Sequence, residues 1–375
     1  MPYNLDDQLY PVRREPKSFW EKTGLTGTQR RVLDVFLAVL LFLLTIGWGY
    51  AAADAIYRGD SPTVGQQIAG GGSPFSAAAP AEATFAMDAL LQQLIDWEEV
   101  RGESGEVQVL FQEPGDTVTL PADAPDDLAV EFGAPGDTAS DPESVGGRLP
   151  DRAGVWNMLL RMGSVVRQVP QLNVVTLTSA TEITSGRIGR YEIGNWPAGE
   201  GAYAPPTGFV EVTPENMETY VSTHFQLKDF LTKGQEGVWP KYAALSPRLL
   251  DKLELTLQEL ERRGHPVENV FVVSGFRTPV YNEGGGNPQG RGALSRHMYG
   301  DAADIAIDND GDGCMDDLTG DGRADRDDVE VVAQAAEQVE KDYPHLIGGI
   351  GRYRPVPGSH CGMVHIDARG NRARW

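Results

Sequence analysis

Cysteine and positive charge are both scarce in this chain of 375 residues. Two cysteines, Cys314 and Cys361, are too few for a disulfide-rich scaffold, although outside the cytoplasm they can form one bridge if they meet. Lysine and arginine number 32 against 54 aspartates and glutamates, which gives a formal net charge of −22. Because sequence-independent nucleic-acid binding depends on neutralising phosphates with basic side chains, this balance argues against a nucleic-acid partner.

An uncharged apolar run occupies residues 35–53, directly after a polar segment that contains Arg30 and Arg31. About 20 apolar helical residues cross the hydrocarbon core, so we predict a transmembrane signal anchor over 32–54. The two arginines keep residues 1–31 in the cytoplasm as a tail. A cleaved signal peptide is the alternative, and both interpretations export the rest of the chain.

The residues after the anchor, up to about 213, carry no chemical signature. Residues 55–82 are rich in glycine, alanine, serine and proline and predict a flexible linker. We assign 83–213 to a small β-rich spacer module of unknown role, which begins with an amphipathic helix over 83–97. A Gly-, Pro-, Asp- and Ser-rich stretch near 133–151 predicts a linker inside it. Short strands are expected at 107–111, 118–120, 174–177 and 190–193.

From residue 214 the hydrophobic pattern becomes regular. Ser246-Pro247, a stripe of leucines and then Gly264 carry the start and stop signals of a helix. The short β-branched run 269–273 predicts a buried strand. A further strand is expected at 302–307, and a second helix at 327–341.

Three side chains in this region have the chemistry of a metal site. His297 and Asp304 lie seven residues apart around a glycine, and Asp304 stands between two alanines on one face of the strand. A carboxylate in such a packed position requires a partner. Together with His365 these side chains form a ligand set that zinc accepts while keeping a fourth position for water, although other first-row ions tolerate it too.

Arg277 follows the buried strand 269–273 directly, in the segment Ser274-Gly-Phe-Arg-Thr-Pro. A side chain at the end of a buried strand is rigidly held, so Arg277 is well placed to act on a ligand. A structural salt bridge explains this position equally well.

The segment 308–328 is an acidic insertion with the spacing of calcium-binding loops. Two overlapping twelve-residue matches begin at Asp308 and Asp317, each with glycine at the sixth position, where the chain turns sharply. Neither match ends in the bidentate glutamate of a calcium sensor, and a solvated acidic loop is the alternative. We predict structural Ca²⁺ with ligands drawn from Asp308, Asp310, Asp312, Asp316, Asp317, Thr319, Asp321, Asp325 and Asp328.

Three sequence motifs follow one another in this region. They are Ser-Gly-Phe-Arg-Thr-Pro at 274–279, Ser-Arg-His-Met-Tyr-Gly-Asp-Ala-Ala-Asp-Ile at 295–305, and Val-His-Ile-Asp at 364–367. Over roughly 214–375 the chain resembles the zinc D-Ala-D-Ala carboxypeptidase family and its murein endopeptidase relatives. The resemblance implies an α+β fold in which a small antiparallel sheet with flanking helices carries zinc. It also implies that the substrate is the peptide of peptidoglycan. The site residues so implied are the zinc ligands His297, Asp304 and His365, and Arg277 beside the scissile carbonyl.

The general base is not identified by this resemblance. In much of the superfamily a histidine lies two residues before the last ligand, or an acid three before it; here those positions hold Met363 and Gly362. His360 is the first candidate for the base and Asp367 the second. Asp367 can instead orient a ligand from behind.

The sequence therefore predicts a single-pass protein of the inner (cytoplasmic) membrane, with a zinc peptidase domain on the periplasmic or extracellular side. We expect it to hydrolyse stem peptides or cross-links of peptidoglycan, with Arg277, Arg296 or Arg352 as a docking cation for substrate carboxylates. One alternative is a non-catalytic peptidoglycan-binding protein that retains its metal. Another is a calcium-stabilised cell-envelope scaffold in which residues 55–213 bind a partner.

Overall fold

The computed structural model describes residues 109–118, 124, 126–135, 142–284, 292–356, 358 and 360–375. The predicted tail, anchor, first linker and helix 83–97 lie outside these residues. Within the described part of the chain, no helix has the length and apolar character needed to cross a membrane.

The first sheet has five strands and its own hydrophobic core. Its order is β1-β5-β4-β2-β3, and only β1 runs parallel to its neighbour, β5. Alternate residues of β4 (Trp156, Met158 and Leu160) are buried on one face together with Phe132. The strands are β1 (Val109–Gln112), β2 (Leu128–Gly133), β3 (Ser144–Val145), β4 (Gly154–Met162) and β5 (Val165–Thr176).

The stretch 133–151, predicted as a linker, is in part built into this sheet. Ser144–Val145 form β3 and pair with β2, and the Leu149 side chain is buried in the core of the sheet. The composition of the stretch is that of a loop, but Leu149 anchors it because burying one apolar side chain is favourable by about 1.5–3 kcal/mol. Residues 136–141, in its middle, lie outside the described part.

A three-stranded sheet follows, in the order β10-β9-β6. Residues on both sides of the boundary expected near 213 belong to it, because β9 pairs with β10 through Val210 and Ala243. A small hairpin, β7–β8, lies between β6 and β9 in the chain. These strands are β6 (Thr178–Ser179), β7 (Arg187–Ile188), β8 (Tyr191–Glu192), β9 (Gly208–Val212) and β10 (Lys241–Ala243).

The third sheet carries the candidate site and has the order β11-β12-β14-β13-β15. All of its pairs are antiparallel except β13 with β15. The strands expected at 269–273 and 302–307 are confirmed as two neighbours in it. The predicted burial of 269–273 is wrong, because β11 is an edge strand of the sheet, none of its residues is fully buried and Phe271 is exposed. Its strands are β11 (Val270–Ser274), β12 (Ala302–Ile307), β13 (Gly349–Tyr353), β14 (Met363–Asp367) and β15 (Ala373–Arg374).

Two long helices pack against this sheet, which confirms a mixed α+β architecture. Helix α1 (Pro247–Arg262) has proline in its first turn, and α3 (Arg326–Asp342) begins with a capping box of Asp325 and Asp328. Their apolar faces share one core with the alternate strand residues Ile305, Val364 and Ile366, among others. A short helix α2 (Pro279–Gly284) follows β11. Short 3-10 helices occupy Ala180–Glu182, Gly201–Tyr203, Leu227–Phe230, Arg296–Tyr299 and Pro344–Leu346.

A disulfide joins Cys314 to Cys361, the pairing that the sequence left open. Cys314 belongs to the acidic insertion after β12, and Cys361 lies two residues before β14. The bridge therefore ties the insertion to the approach of the strand that carries His365.

Candidate metal centre

The polar side chains of the candidate site lie on the face of the third sheet opposite its helices. Asp304 on β12 lies directly across from His365 on β14, and Ser274 on β11 lies across from Asp304. Because side chains alternate along a strand, the neighbours Ile305, Val364 and Ile366 point into the core and the polar residues point away from it. The strand register thus brings Asp304 and His365 together although they are far apart in sequence.

His297 reaches the same face from the 3-10 turn Arg296–Tyr299, which precedes β12. Gly300 ends this turn with φ +73°, and a Cβ at that position would lie 2.5 Å from the backbone carbonyl of Ala244. Only glycine therefore permits this turn to pack here. The indole of Trp196 donates a hydrogen bond to the Met298 carbonyl oxygen at 2.8 Å, which holds the turn from outside.

Three potential ligand atoms converge between these elements. His297 Nε2 lies 3.1 Å from His365 Nδ1 and 3.2 Å from Asp304 Oδ1. His365 Nδ1 lies 2.8 Å from the same Asp304 oxygen. The three residues are only 2%, 3% and 5% exposed in chain order. Each thus presents one donor atom to a common point within the protein.

The other nitrogen of each imidazole is hydrogen-bonded from behind. His297 Nδ1 lies 2.7 Å from the Gly275 carbonyl oxygen, and His365 Nε2 lies 3.0 Å from Asp367 Oδ2. A carbonyl or carboxylate oxygen only accepts, so these two nitrogens must carry the hydrogens. In the neutral rings, the nitrogens that face Asp304 then hold lone pairs.

The arrangement fits a divalent metal. Two lone pairs and a carboxylate oxygen face one another, and a cation between them removes that mutual repulsion. Zinc bonds of about 2.0–2.1 Å in tetrahedral geometry imply ligand atoms about 3.3 Å apart. The observed separations of 2.8–3.2 Å are close to that value. The donor set and the supporting acceptors both match what zinc requires.

The buried ionisable side chains of the site shift one another's pKa values. Burial alone raises the pKa of Asp304, but His297 and His365 outweigh it and hold this pKa well below its usual value. Burial lowers the pKa of His297, and the negative charge of Asp304, which acts to raise this pKa, only partly offsets the effect. Burial also lowers the pKa of His365, yet the hydrogen bonds that its ring makes to the Asp304 and Asp367 carboxylates outweigh burial and raise this pKa. A proton on His365 is therefore the natural competitor of a bound metal.

Arg277 contacts the candidate metal site through Asp304. Its Nη2 donates to Asp304 Oδ2 at 2.8 Å, and its Nε donates to Ser274 Oγ at 2.8 Å. The guanidinium thus holds the carboxylate so that Oδ1 faces the histidines. Of the two interpretations raised by the sequence, the salt bridge is present; a contact with substrate stays a prediction.

Asp367 is built as a ligand-orienting carboxylate. It is fully buried, and it accepts from His365, from the backbone N–H of Gly349 at 2.8 Å and from the Arg369 guanidinium. Burial opposes its ionisation, but these donors hold its pKa well below the usual range. Buried Lys252 supports the same residue by donating to its backbone carbonyl at 2.6 Å. Asp367 therefore acts on His365 and has no free oxygen for a substrate.

His360 lies in the turn before β14 and is outside the group of converging ligand atoms. Its Nδ1 accepts from the Gly362 N–H at 3.3 Å, and its ring meets the Tyr353 ring edge-on with centroids 6.4 Å apart. Nothing in this arrangement selects His360 as the base, so that role stays a prediction.

Two aromatic residues near the site were not found from the sequence. The Trp375 ring lies against His365 with centroids 5.0 Å apart, and its Nε1 donates to the Tyr353 hydroxyl at 2.7 Å. Gly351 and Tyr353 are two residues apart on β13 and therefore share a face of the sheet. This spacing could have placed Tyr353 near His365 if the pairing of β13 with β14 had been known. The pairing itself has no local signature.

Two arginines expected as docking cations are already paired. Arg296 is buried, donates to Asp301 and lies over the rings of Tyr203 and Tyr299. Arg352 donates to Glu330 at 2.7 Å and to another glutamate of helix α3. Both guanidinium groups therefore already have carboxylate partners within the fold, and a docking role for either stays a prediction.

The acidic insertion brings together part of its predicted calcium ligands. Asp308, Asp310 and Asp316 each place an oxygen within 4.8 Å of the others. Asp308 is buried and lies four residues after Asp304, so this cluster begins where strand β12 ends. In the same loop, Asp312 accepts from the backbone N–H of Cys314 at 2.9 Å.

The second loop uses its acids chiefly for backbone hydrogen bonds. Asp317 accepts from the N–H groups of Gly320, Asp321 and Gly322, and from the Thr319 hydroxyl. Asp325 and Asp328 cap helix α3, and Asp328 is buried. Among the residues described, these side chains do not join the Asp308 cluster.

Comparison of the chain with models of protein families, with curated proteins and with solved structures finds no match.

Proposed function

We propose that this protein is a zinc peptidase that hydrolyses peptide bonds in peptidoglycan stem peptides or cross-links. One observation carries the proposal: His297 Nε2, His365 Nδ1 and Asp304 Oδ1 meet within 3.2 Å with both opposite ring nitrogens committed as donors. Three protein ligands are the number found in catalytic zinc sites, whereas structural sites usually use four.

Five side chains of this protein would bind such an ion or position its ligands. His297, Asp304 and His365 hold it, while Arg277 and Asp367 fix the orientation of two of these ligands. When bound, zinc supplies Lewis acidity towards a carbonyl oxygen and lowers the pKa of a coordinated water. The peptide of peptidoglycan as substrate rests on the three sequence blocks that resemble the D-Ala-D-Ala carboxypeptidases. The export of the domain rests on the apolar run at 35–53.

A second candidate function is non-catalytic binding of peptidoglycan or a scaffold role in the cell envelope. It is favoured by the lack of an ionisable side chain at Gly362 and Met363 and by the complete engagement of the Asp367 carboxylate. A protein of this kind would keep zinc for structure alone.

We also propose that the insertion holds calcium for structure, with Asp308, Asp310 and Asp316 as the first ligands. Carboxylate oxygens at this spacing suit a hard cation. Binding there would stabilise the segment between β12 and α3, which the disulfide of Cys314 also constrains.

The deciding experiment incubates the zinc-loaded full-length protein with purified sacculi and identifies released peptides by mass spectrometry. We expect soluble peptides from the wild type and none from His297→Ala, which should also lose its zinc. His265→Ala is the matched control, because His265 lies outside the metal group. Intact sacculi together with fully bound zinc would overturn the peptidase and favour the binding protein.

A further inference from the structure

Tyr353 lies on the same face of the third sheet as the metal ligands. In the pairing of β13 with β14, Gly351 is opposite His365 and Tyr353 is opposite Met363. Residues two apart on a strand share a face, so Tyr353 is one step along the sheet from His365. Diagonal neighbours on two paired strands lie about 7–8 Å apart, which is within reach of an aromatic side chain.

The Tyr353 side chain is held in place by Trp375. A side chain at Gly351 would lie 2.5 Å from the indole, so the glycine leaves the space in which Trp375 covers the sheet. From there the indole contacts the His365 ring and donates its N–H to the Tyr353 oxygen at 2.7 Å. The position of the phenol is thus coupled to that of a metal ligand.

This hydrogen bond leaves the Tyr353 hydroxyl able to donate a hydrogen bond of its own. The Tyr353 oxygen accepts from Trp375, but its own O–H has no acceptor among the residues that the structure describes. A phenol in this state is a donor awaiting an acceptor. Burial and the negative charge of Asp304 raise the pKa of Tyr353, against the effects of Trp375 and Arg277. The hydroxyl therefore keeps its proton at neutral pH.

We propose that Tyr353 donates a hydrogen bond to the scissile carbonyl oxygen as negative charge develops on it. This role rests on the proposed peptidase function. No covalent bond or proton transfer is involved: the proton stays on the phenol oxygen, and Trp375 acts as the positioning residue behind it. Removing one such donor from an enzyme typically lowers kcat by about 100- to 1000-fold.

The test uses the full-length zinc-loaded protein and a synthetic peptide carrying the bond that is cleaved in sacculi. Tyr353→Phe removes only the hydroxyl and should lower kcat about 100-fold or more, with KM and zinc content unchanged. Trp375→Phe keeps a ring beside His365 but removes the N–H, and we expect a smaller loss in kcat. Tyr220→Phe, at an exposed tyrosine, should match the wild type.

A second measurement separates transition-state from ground-state effects. A phosphinate analogue, in which the scissile carbonyl is replaced by a tetrahedral phosphorus, should bind Tyr353→Phe about 100-fold more weakly than the wild type. If Tyr353→Phe cleaves at the wild-type rate and binds the phosphinate equally well, the role of Tyr353 is overturned while the peptidase stands. If the wild type itself cleaves no peptide bond, the proposed function fails, and the role of Tyr353 fails with it.

Discussion

Asp367 Oδ2 lies 3.0 Å from His365 Nε2, and this contact decides which nitrogen of His365 faces Asp304. The two residues are on one strand with a single residue between them, so they share a face of the sheet. An ionised carboxylate behind an imidazole fixes its tautomer and makes the opposite nitrogen a better metal ligand. The backbone carbonyl of Gly275 performs the same task for His297.

Asp367→Asn should weaken zinc binding. The amide keeps the shape of the carboxylate but loses its charge, and losing such a supporting partner typically costs about 10- to 100-fold in metal affinity. Competition between the protein and a chromogenic chelator measures this directly. Asp127→Asn, at an exposed site in the turn before β2, should leave the affinity unchanged. Equal affinities for the two variants would contradict the role given to Asp367.

The stability cost of Asp367→Asn should depend on pH in metal-free protein. Because the pKa of Asp367 is lowered by folding, its carboxylate contributes stability above the unfolded value of about 4 and loses that contribution as pH falls. Wild type and variant should therefore differ by the full amount near neutrality, and the difference should begin to shrink only as the pH falls below about 4. Thermal melts in EDTA between pH 7 and pH 3 provide the test. A difference that grows towards pH 3 would reverse the predicted sign.

Gly300→Ala should displace His297. The new Cβ meets the Ala244 carbonyl and also strains a backbone with φ +73°. Gly264→Ala is the matched control, since its φ is +90° but nothing lies within 4 Å of the added Cβ. We expect about 1 kcal/mol of lost stability for Gly264→Ala, and a larger loss with reduced zinc content for Gly300→Ala. Urea unfolding and metal analysis of the two proteins test this, and equal behaviour would count against the steric argument.

Calcium should stabilise the chain through the Asp308 cluster. Adding millimolar calcium to chelated protein should raise the melting temperature, because an ion that binds only the folded state adds its binding free energy. Asp310→Asn should reduce that rise, since Asp310 is an exposed member of the cluster and other contacts depend little on it. Magnesium serves as the control ion. An unchanged melting temperature in calcium would rule out this site.

The Cys314–Cys361 bridge should contribute to stability under oxidising conditions. It joins residues 47 apart in the sequence, and closing a loop of that length stabilises a fold by about 4 kcal/mol in the chain-entropy model. The Cys314→Ser, Cys361→Ser double variant should unfold at lower urea concentration than the oxidised wild type. A reducing agent should shift the wild type and leave the double variant unaffected.

Part of this protein was predictable from local patterns. The leucine stripe after Ser246 identified helix α1, a β-branched run identified β11, and an alternating apolar pattern identified β12. The ligand types and their order along the chain were also visible, because imidazole and carboxylate chemistry belongs to the residues themselves. The two cysteines raised the possibility of a bridge without showing that they meet.

Other features depend on residues that are distant in sequence. Leu149 makes part of an expected linker a piece of the first sheet, and β9 pairs with β10 across an expected boundary. The placement of Asp304, His365 and Tyr353 on one face follows from strand register, since a shift of one residue would turn each side chain to the other face. The sequence by itself determined the donor atoms that can bind a metal. Only the tertiary structure decided that they converge, which nitrogens face inward and which aromatic side chains stand beside them, because register and packing are long-range properties with no local code.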